Sequence, residues 1–207
     1  MGLRGLHCGS GATLHPGLLN IDAIELREGA QVSEPGRLVC FQSRLFYLQH
    51  DQTRPLPVAD AAVDWVFSEH FIEHIEPQQA IAWLAEVRRV LRPGGIARIS
   101  TPDLALYASG YHDPAQRFYQ LHRQRLGQMG IHNTPPSRAW MMNQIFRYYG
   151  HRWLYDFEEI AGAATRAGFN PAAIRKVGFG AGSVPELAAL DQPLRNDESL
   201  YVEIRRD

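Results

Sequence analysis

The sequence predicts an α/β fold built on a largely parallel sheet, and three observations carry that prediction. Short apolar runs alternate with stretches of helical spacing along most of the chain. Successive runs end on acids, at Asp22, Asp51 and Glu69, and the carboxyl ends of strands in such a sheet are where ligands meet side chains. An Arg92-Pro93-Gly94-Gly95 stop divides the clearest helical pattern from the strand behind it.

The elements follow in order. Residues 2–9, GLRGLHCG, read as a first strand entering a glycine turn, 18–25 (LLNIDAIE) as a second and 45–51 (LFYLQHD) as a third. Residues 63–69, VDWVFSE, give the fourth, and 77–91 give a helix with Ile81, Leu84, Val87, Val90 and Leu91 at helical spacing. A fifth strand covers 96–101, a helix covers 157–169 and closes at Gly168, and two further strands cover 174–180 and 199–206. Between 102 and 152 the periodicity fails amid many aromatics, so the segment at about 103–152 reads as an insertion into one domain spanning 1–207. No internal repeat or low-complexity linker marks a second domain.

With 45% hydrophobic and 21% charged residues among 207, the composition is that of an ordinary globular chain with a single core. A net charge of −1 supplies no field for nucleic acid or an anionic membrane, so neither is an expected partner. The opening MGLRGLHCGSG lacks a signal-peptide pattern and no run approaches the ~20 apolar residues of a membrane span, which predicts a cytoplasmic protein without membrane insertion. Cys8 and Cys40 are too few for a disulfide framework and read as free thiols packed as small apolar groups.

Gly9 and Gly11 stand just past the first strand, where the backbone can turn tightly and let a ligand approach its N–H groups, although a short G-x-G also occurs in ordinary turns. Leu14 occupies the place of the third glycine in G-x-G-x-x-G, which disfavours a nicotinamide dehydrogenase. Asp22 lies 11 residues beyond Gly11, where a carboxylate can accept hydrogen bonds from both hydroxyls of a ribose.

The ordered set L-H-C-G-S-G, P-G-L-L-N-I-D, H-D, S-E-H-F-I-E-H-I and E-V-R-R-V-L-R-P-G-G, over roughly residues 3–103, resembles class I S-adenosylmethionine-dependent methyltransferases of the small type grouped with the type 11 enzymes. The resemblance implies a Rossmann-like sheet of seven strands, mostly parallel with an antiparallel last strand, and helices on both faces. It implies S-adenosylmethionine as cofactor, with Gly9 and Gly11 bordering the methionine part, Asp22 on the ribose, Asp51 near the adenine, and Ser68 and Glu69 closing the site. The expected reaction is methyl transfer to an oxygen or nitrogen of a small-molecule or glycan-like acceptor. The path from Gly11 to Asp22 leaves little room for the usual first helix of that fold. The reading from another class is a catalytically silent S-adenosylmethionine-binding partner protein, and the expected assembly, if the chain forms one, is a homodimer.

His70, Glu73 and His74 share the H-x-x-E-H spacing of inverted zinc peptidases. The motif leaves a strand end and reaches Pro77 within three residues, too little for the helix such a site needs, so a zinc hydrolase is the least favoured reading and no metal is expected. His70 and His151 are the candidate catalytic bases, with Glu73 beside them, because a histidine with a reference pKa of about 6.5 suits taking a proton from an alcohol or ammonium acceptor. Tyr148, Tyr149, His151, Trp153 and Tyr155 read either as a wall of the acceptor pocket or as aromatics packing the insertion onto the sheet.

Overall fold

The computed structural model describes residues 3–207. Its strands are β1 (Gly5–Cys8), β2 (Leu18–Asp22), the small hairpin β3 (Arg27–Glu28) and β4 (Gln31–Val32), then β5 (Leu38–Phe41), β6 (Leu45–Gln49), β7 (Val63–Glu69), β8 (Leu91–Pro102), β9 (Ile174–Val177) and β10 (Ser199–Arg205). Apart from β3 and β4 they form one sheet in the order β5-β6-β2-β1-β7-β8-β10-β9. Neighbours from β6 to β8 run parallel, and β10 runs antiparallel to β8. The seven expected strands are all present. The eighth, β5, extends the sheet edge as an antiparallel hairpin with β6.

The helix α1 (Pro77–Val90) begins at a capping box between Glu76 and Gln79 and buries Trp83, Leu84 and Val87. After it the chain passes straight into β8, and residues 92–95 bulge outward, because Val63 pairs with Leu91 while Trp65 pairs with Ile96. The insertion contains α2 (Leu104–His112), α3 (Arg117–Gln128) and α4 (Arg138–Arg147), which close over their own core of Tyr107, Tyr119, Leu126, Met141, Ile145 and Leu154. Then come α5 (Phe157–Arg166) and the short α6 (Pro185–Ala188).

The two faces of the sheet are unequal. On one, α1 and α5 cover Leu6, Ile21, Val66, Ala97, Ile99 and Val202 in the main core. Cys8 lies there too as a buried free thiol, which burial pushes up to about 12. The alternate residues turn to the other face, where α6 adds Leu187 to a small cluster of Leu18, Phe67 and Ile96. That second face is otherwise polar, and a fully buried Arg98, paired with Glu203 of β10, ties the segment after β9 down onto it through Asp191. No helix among the described residues is long and apolar enough to cross a membrane.

Candidate functional site

The carboxyl ends of β2, β1 and β7 open into a cleft of about 590 Å3. It lies where the chain's connections diverge, since β1 leads to β2 on one side and β7 leads to β8 on the other. Crevices of open α/β sheets form at such switch points.

The floor is the turn after β1. Gly9 and Gly11 hold φ at +70° and +52°, in the left-handed region that favours glycine. Gly9 N and Ser10 N both donate to Ile21 O, at 3.0 and 3.2 Å, so the turn is fixed to β2. A Cβ at Gly9 would stand 2.4 Å from Phe71 Cβ, whereas one at Gly11 would meet nothing within 4 Å. Gly9→Ala is therefore expected to cost about 2–3 kcal/mol, from backbone strain plus overpacking, and Gly11→Ala about 1 kcal/mol, from strain alone. Urea denaturation of the two variants separates these cases, and equal losses would show that the contact with Phe71 is relieved without cost.

No helix fills residues 9–17. The buried Asn20 holds the loop instead: its Nδ2 donates to His15 O (3.1 Å) and Phe46 O (2.9 Å), and its Oδ1 accepts from His15 N (2.8 Å). His7 Nδ1 lies 3.1 Å from the same Oδ1. Burial first, and then the neighbouring His15, push the His7 imidazole down to about 3, so this wall is neutral.

Asp22 ends β2 with its carboxylate in the cleft. Oδ2 accepts from Gly11 N at 2.8 Å and Oδ1 from Ile24 N at 3.2 Å. Each oxygen can accept a second bond, so a vicinal diol entering the cleft meets two acceptors on one side chain. The residues present thus fit a ribose.

Of the residues expected to hold the cofactor, Gly9, Gly11, Asp22 and Glu69 line this cleft, and Ser68 and Asp51 do not. Strand alternation turns Ser68 the other way, in register with Cys8 and Ile99, and it is fully buried. Asp51 is taken up by its own loop, where Oδ1 accepts from Thr53 Oγ1 (2.7 Å) and Thr53 N (3.0 Å), bonds that hold its carboxyl below the usual range.

The sequence reading missed the far wall. Gln192, Leu194 and Arg195, from the segment before β10, also line the cleft. Gln192 N donates to Glu69 Oε1 at 2.9 Å. Burial pushes the Glu69 carboxyl up, and this bond opposes the rise. No local pattern marks these residues, because the fold brings them to the cleft across 123 positions of sequence.

The SEHFIEHI segment forms a bend and a single 3-10 turn, Ile72–His74, so His70 and His74 do not share a helix face. His70 lines the cleft with φ +49° and a side chain only 5% exposed. Its Nε2 lies 2.7 Å from Ser199 Oγ, which itself donates to Arg195 O at 2.7 Å. Ser199 therefore accepts from Nε2–H, and His70 Nδ1 is left as an acceptor for Arg195 Nη1 at 3.3 Å. Glu73 is fully buried, with Oε2 accepting from Thr101 Oγ1 at 3.0 Å. His151 stands outside the cleft wall with Nδ1 2.5 Å from Ile145 O, and burial lowers its pKa.

The aromatic group expected as an acceptor wall divides. Tyr155 is buried, while Tyr148, Tyr149 and Trp153 are 52%, 40% and 44% exposed, and none of the four borders the cleft. The arginines of the insertion are partly spent: Arg117 pairs with Asp113, and Arg138 donates to the carbonyls of Tyr111 and Pro114.

Residues 8–99 match the family described as "Methyltransferase domain", type 11. That match covers less than half of the chain. The chain is also 36% identical over 72 residues to a probable S-adenosylmethionine-dependent methyltransferase of Mycolicibacterium smegmatis, a match covering 35% of this chain and 27% of that protein. Among solved structures, an S-adenosylmethionine-dependent methyltransferase from Mesorhizobium loti superposes with TM-score 0.56 at 20% identity, covering 99% of this chain and 91% of that one. A second, from Archaeoglobus fulgidus, gives TM-score 0.53 at 12% identity, covering 98% and 85%. These two likenesses establish the fold. The residues matched by that family include the glycine turn, Asp22 and the whole segment Ser68–Ile75.

Proposed function

We propose that the cleft binds S-adenosylmethionine and that the chain transfers its methyl group to an oxygen or nitrogen of a small, polar, glycan-like acceptor. The observation that carries this reading is the convergence of the Gly9–Gly11 turn, Asp22 and Glu69 from three adjacent strands into one cleft at the switch point. Asp22 would hold the ribose hydroxyls and the glycine turn would border the methionine part. When bound, the cofactor supplies an electrophilic methyl on a sulfonium, so positioning the acceptor in line supplies much of the rate, up to roughly 7–11 kcal/mol in favourable systems.

The polar groups beyond the cofactor-binding turn, Glu69, His70, Gln192 and Arg195, suit an acceptor rich in hydroxyl or amine groups. Of the three acid–base candidates His70 lines the cleft, and it is assigned the proton-accepting role; Glu73 and His151 stand behind it. The insertion at 103–152 would bound the acceptor side.

Release of S-adenosylhomocysteine over a panel of sugars, alcohols and amines tests the proposal. Turnover on hydroxyl or amine acceptors, with kcat lowered in His70→Gln, is the expected result. Cofactor binding without turnover on any acceptor would favour the catalytically silent partner protein instead.

A further inference from the structure

Glu73, His74 and His151 bring a carboxylate and two imidazoles together beside the cleft, with ligand atoms within 4.8 Å of one another. They come from two distant parts of the chain, the turn after β7 and the segment after α4. The Glu73 carbonyl joins them by accepting from Arg152 N (2.7 Å) and Trp153 N (3.2 Å).

Hydrogen-bond accounting leaves this set with unused lone pairs. Because His151 Nδ1 faces the Ile145 carbonyl at 2.5 Å, it carries the proton and Nε2 presents a lone pair. A ring nitrogen donating to a backbone carbonyl is the usual support of a metal-ligating histidine. Glu73 Oε2 is satisfied by Thr101, whereas Oε1 is buried and has no hydrogen-bond donor. His70 Nδ1 lies 3.3 Å from it but is the nitrogen left to accept from Arg195. A buried carboxylate oxygen without a donor is costly unless a cation answers it. His74 is exposed, its ring is 4.9 Å from that of His151, and it borders the cleft.

We infer that Glu73, His74 and His151 form a site for a first-row divalent cation of the Zn2+ type at the border of the cleft, formed by one carboxylate and two imidazoles. That ligand set suits zinc and its neighbours, and a three-ligand site leaves a position open for water or an acceptor oxygen. The set differs from the one the H-x-x-E-H spacing suggests, because His70 is turned to Ser199 and Arg195. It also departs from the sequence expectation of no metal. On the methyl-transfer reading, on which this clause rests, a hydroxyl of the acceptor bound to the cation would lose its proton more readily.

The test is calorimetric titration of the chelator-stripped full chain with Zn2+, repeated with Co2+ to record its visible absorption bands. One cation per chain is expected, with His74→Ala weakening binding by at least about 100-fold, beyond the 10–100-fold usual for loss of an outer-shell partner. His74 is exposed, so this variant keeps its fold even if Glu73→Gln does not. Failure of the parent to bind Zn2+ stoichiometrically, or equal binding by His74→Ala, overturns the inference. Neither cofactor nor acceptor is present, so the outcome stands apart from whether the chain transfers methyl groups.

Discussion

Replacing Arg98 by leucine is expected to cost roughly 3–5 kcal/mol of folding free energy, the range for removing one partner of a buried ion pair. All five guanidinium donors are engaged inside the protein. Nε and Nη2 bind Asp191 at 2.7 and 2.5 Å, Nη1 binds Glu203 Oε1 at 3.1 Å, and the carbonyls of Ala181 and Gly178 each accept at 3.0 Å. Leucine would leave two carboxylates without their cation in the interior, with Asp191 6% and Glu203 3% exposed. It would also release the strap that carries Gln192, Leu194 and Arg195 to the cleft, so cofactor affinity should fall together with stability. Urea unfolding measures the first effect. A triple replacement of Arg98, Asp191 and Glu203 by leucine should recover most of the loss, because replacing a whole buried ion cluster by apolar groups is often neutral. A loss of under about 1 kcal/mol in the single variant, the worth of an exposed pair, would mean that water reaches the cluster.

Asp22→Ala is expected to raise the dissociation constant for S-adenosylmethionine by about 100-fold or more. Hydrogen bonds to a charged group are worth about 1.5–3 kcal/mol each, and two bonds to ribose hydroxyls therefore exceed the ~2.7 kcal/mol that corresponds to 100-fold. The same change frees Gly11 N, which loses its 2.8 Å partner, so part of the effect comes through the turn. Asp22→Asn separates the contributions, since its amide oxygen can still serve Gly11 or one hydroxyl but not both hydroxyls with full charge. Calorimetric titration of folded variants checks this, and unchanged affinity in Asp22→Ala would remove the acid from the cofactor site.

Much of the fold could be read from periodicity, and the exceptions have physical causes. The β5–β6 hairpin escaped notice because its turn uses Gln42 and Ser43 at φ +49° and +57°, where the usual signal is Asn-Gly or Asp-Gly. The insertion helices were hidden by polar residues in their buried stripes. In α3 the inward positions are Tyr119, His122 and Leu126, and in α4 they are Met141, Gln144 and Ile145. His122 and Gln144 occupy these places because they serve the buried hydroxyl of Tyr107, at 2.9 and 3.4 Å.

The site divided in the same way. Gly9, Gly11, Asp22 and Glu69 sit at strand ends, where sequence position fixes spatial position. Ser68 turns away from the cleft because one step along a strand reverses the side chain, and Asp51 lies outside it with a two-residue loop bond engaging its carboxylate. Gln192 and Arg195 depend on the Arg98 anchor, a long-range ion cluster without a local signature.

The central claim, that the switch-point cleft is a cofactor site, is tested most directly by a crystal structure of the chain with S-adenosylhomocysteine. The account predicts both ribose hydroxyls within hydrogen-bond distance of the Asp22 carboxylate, with the homocysteine part along the Gly9–Gly11 turn. Ligand bound elsewhere, or a folded protein that takes up none at saturating concentration, would contradict it.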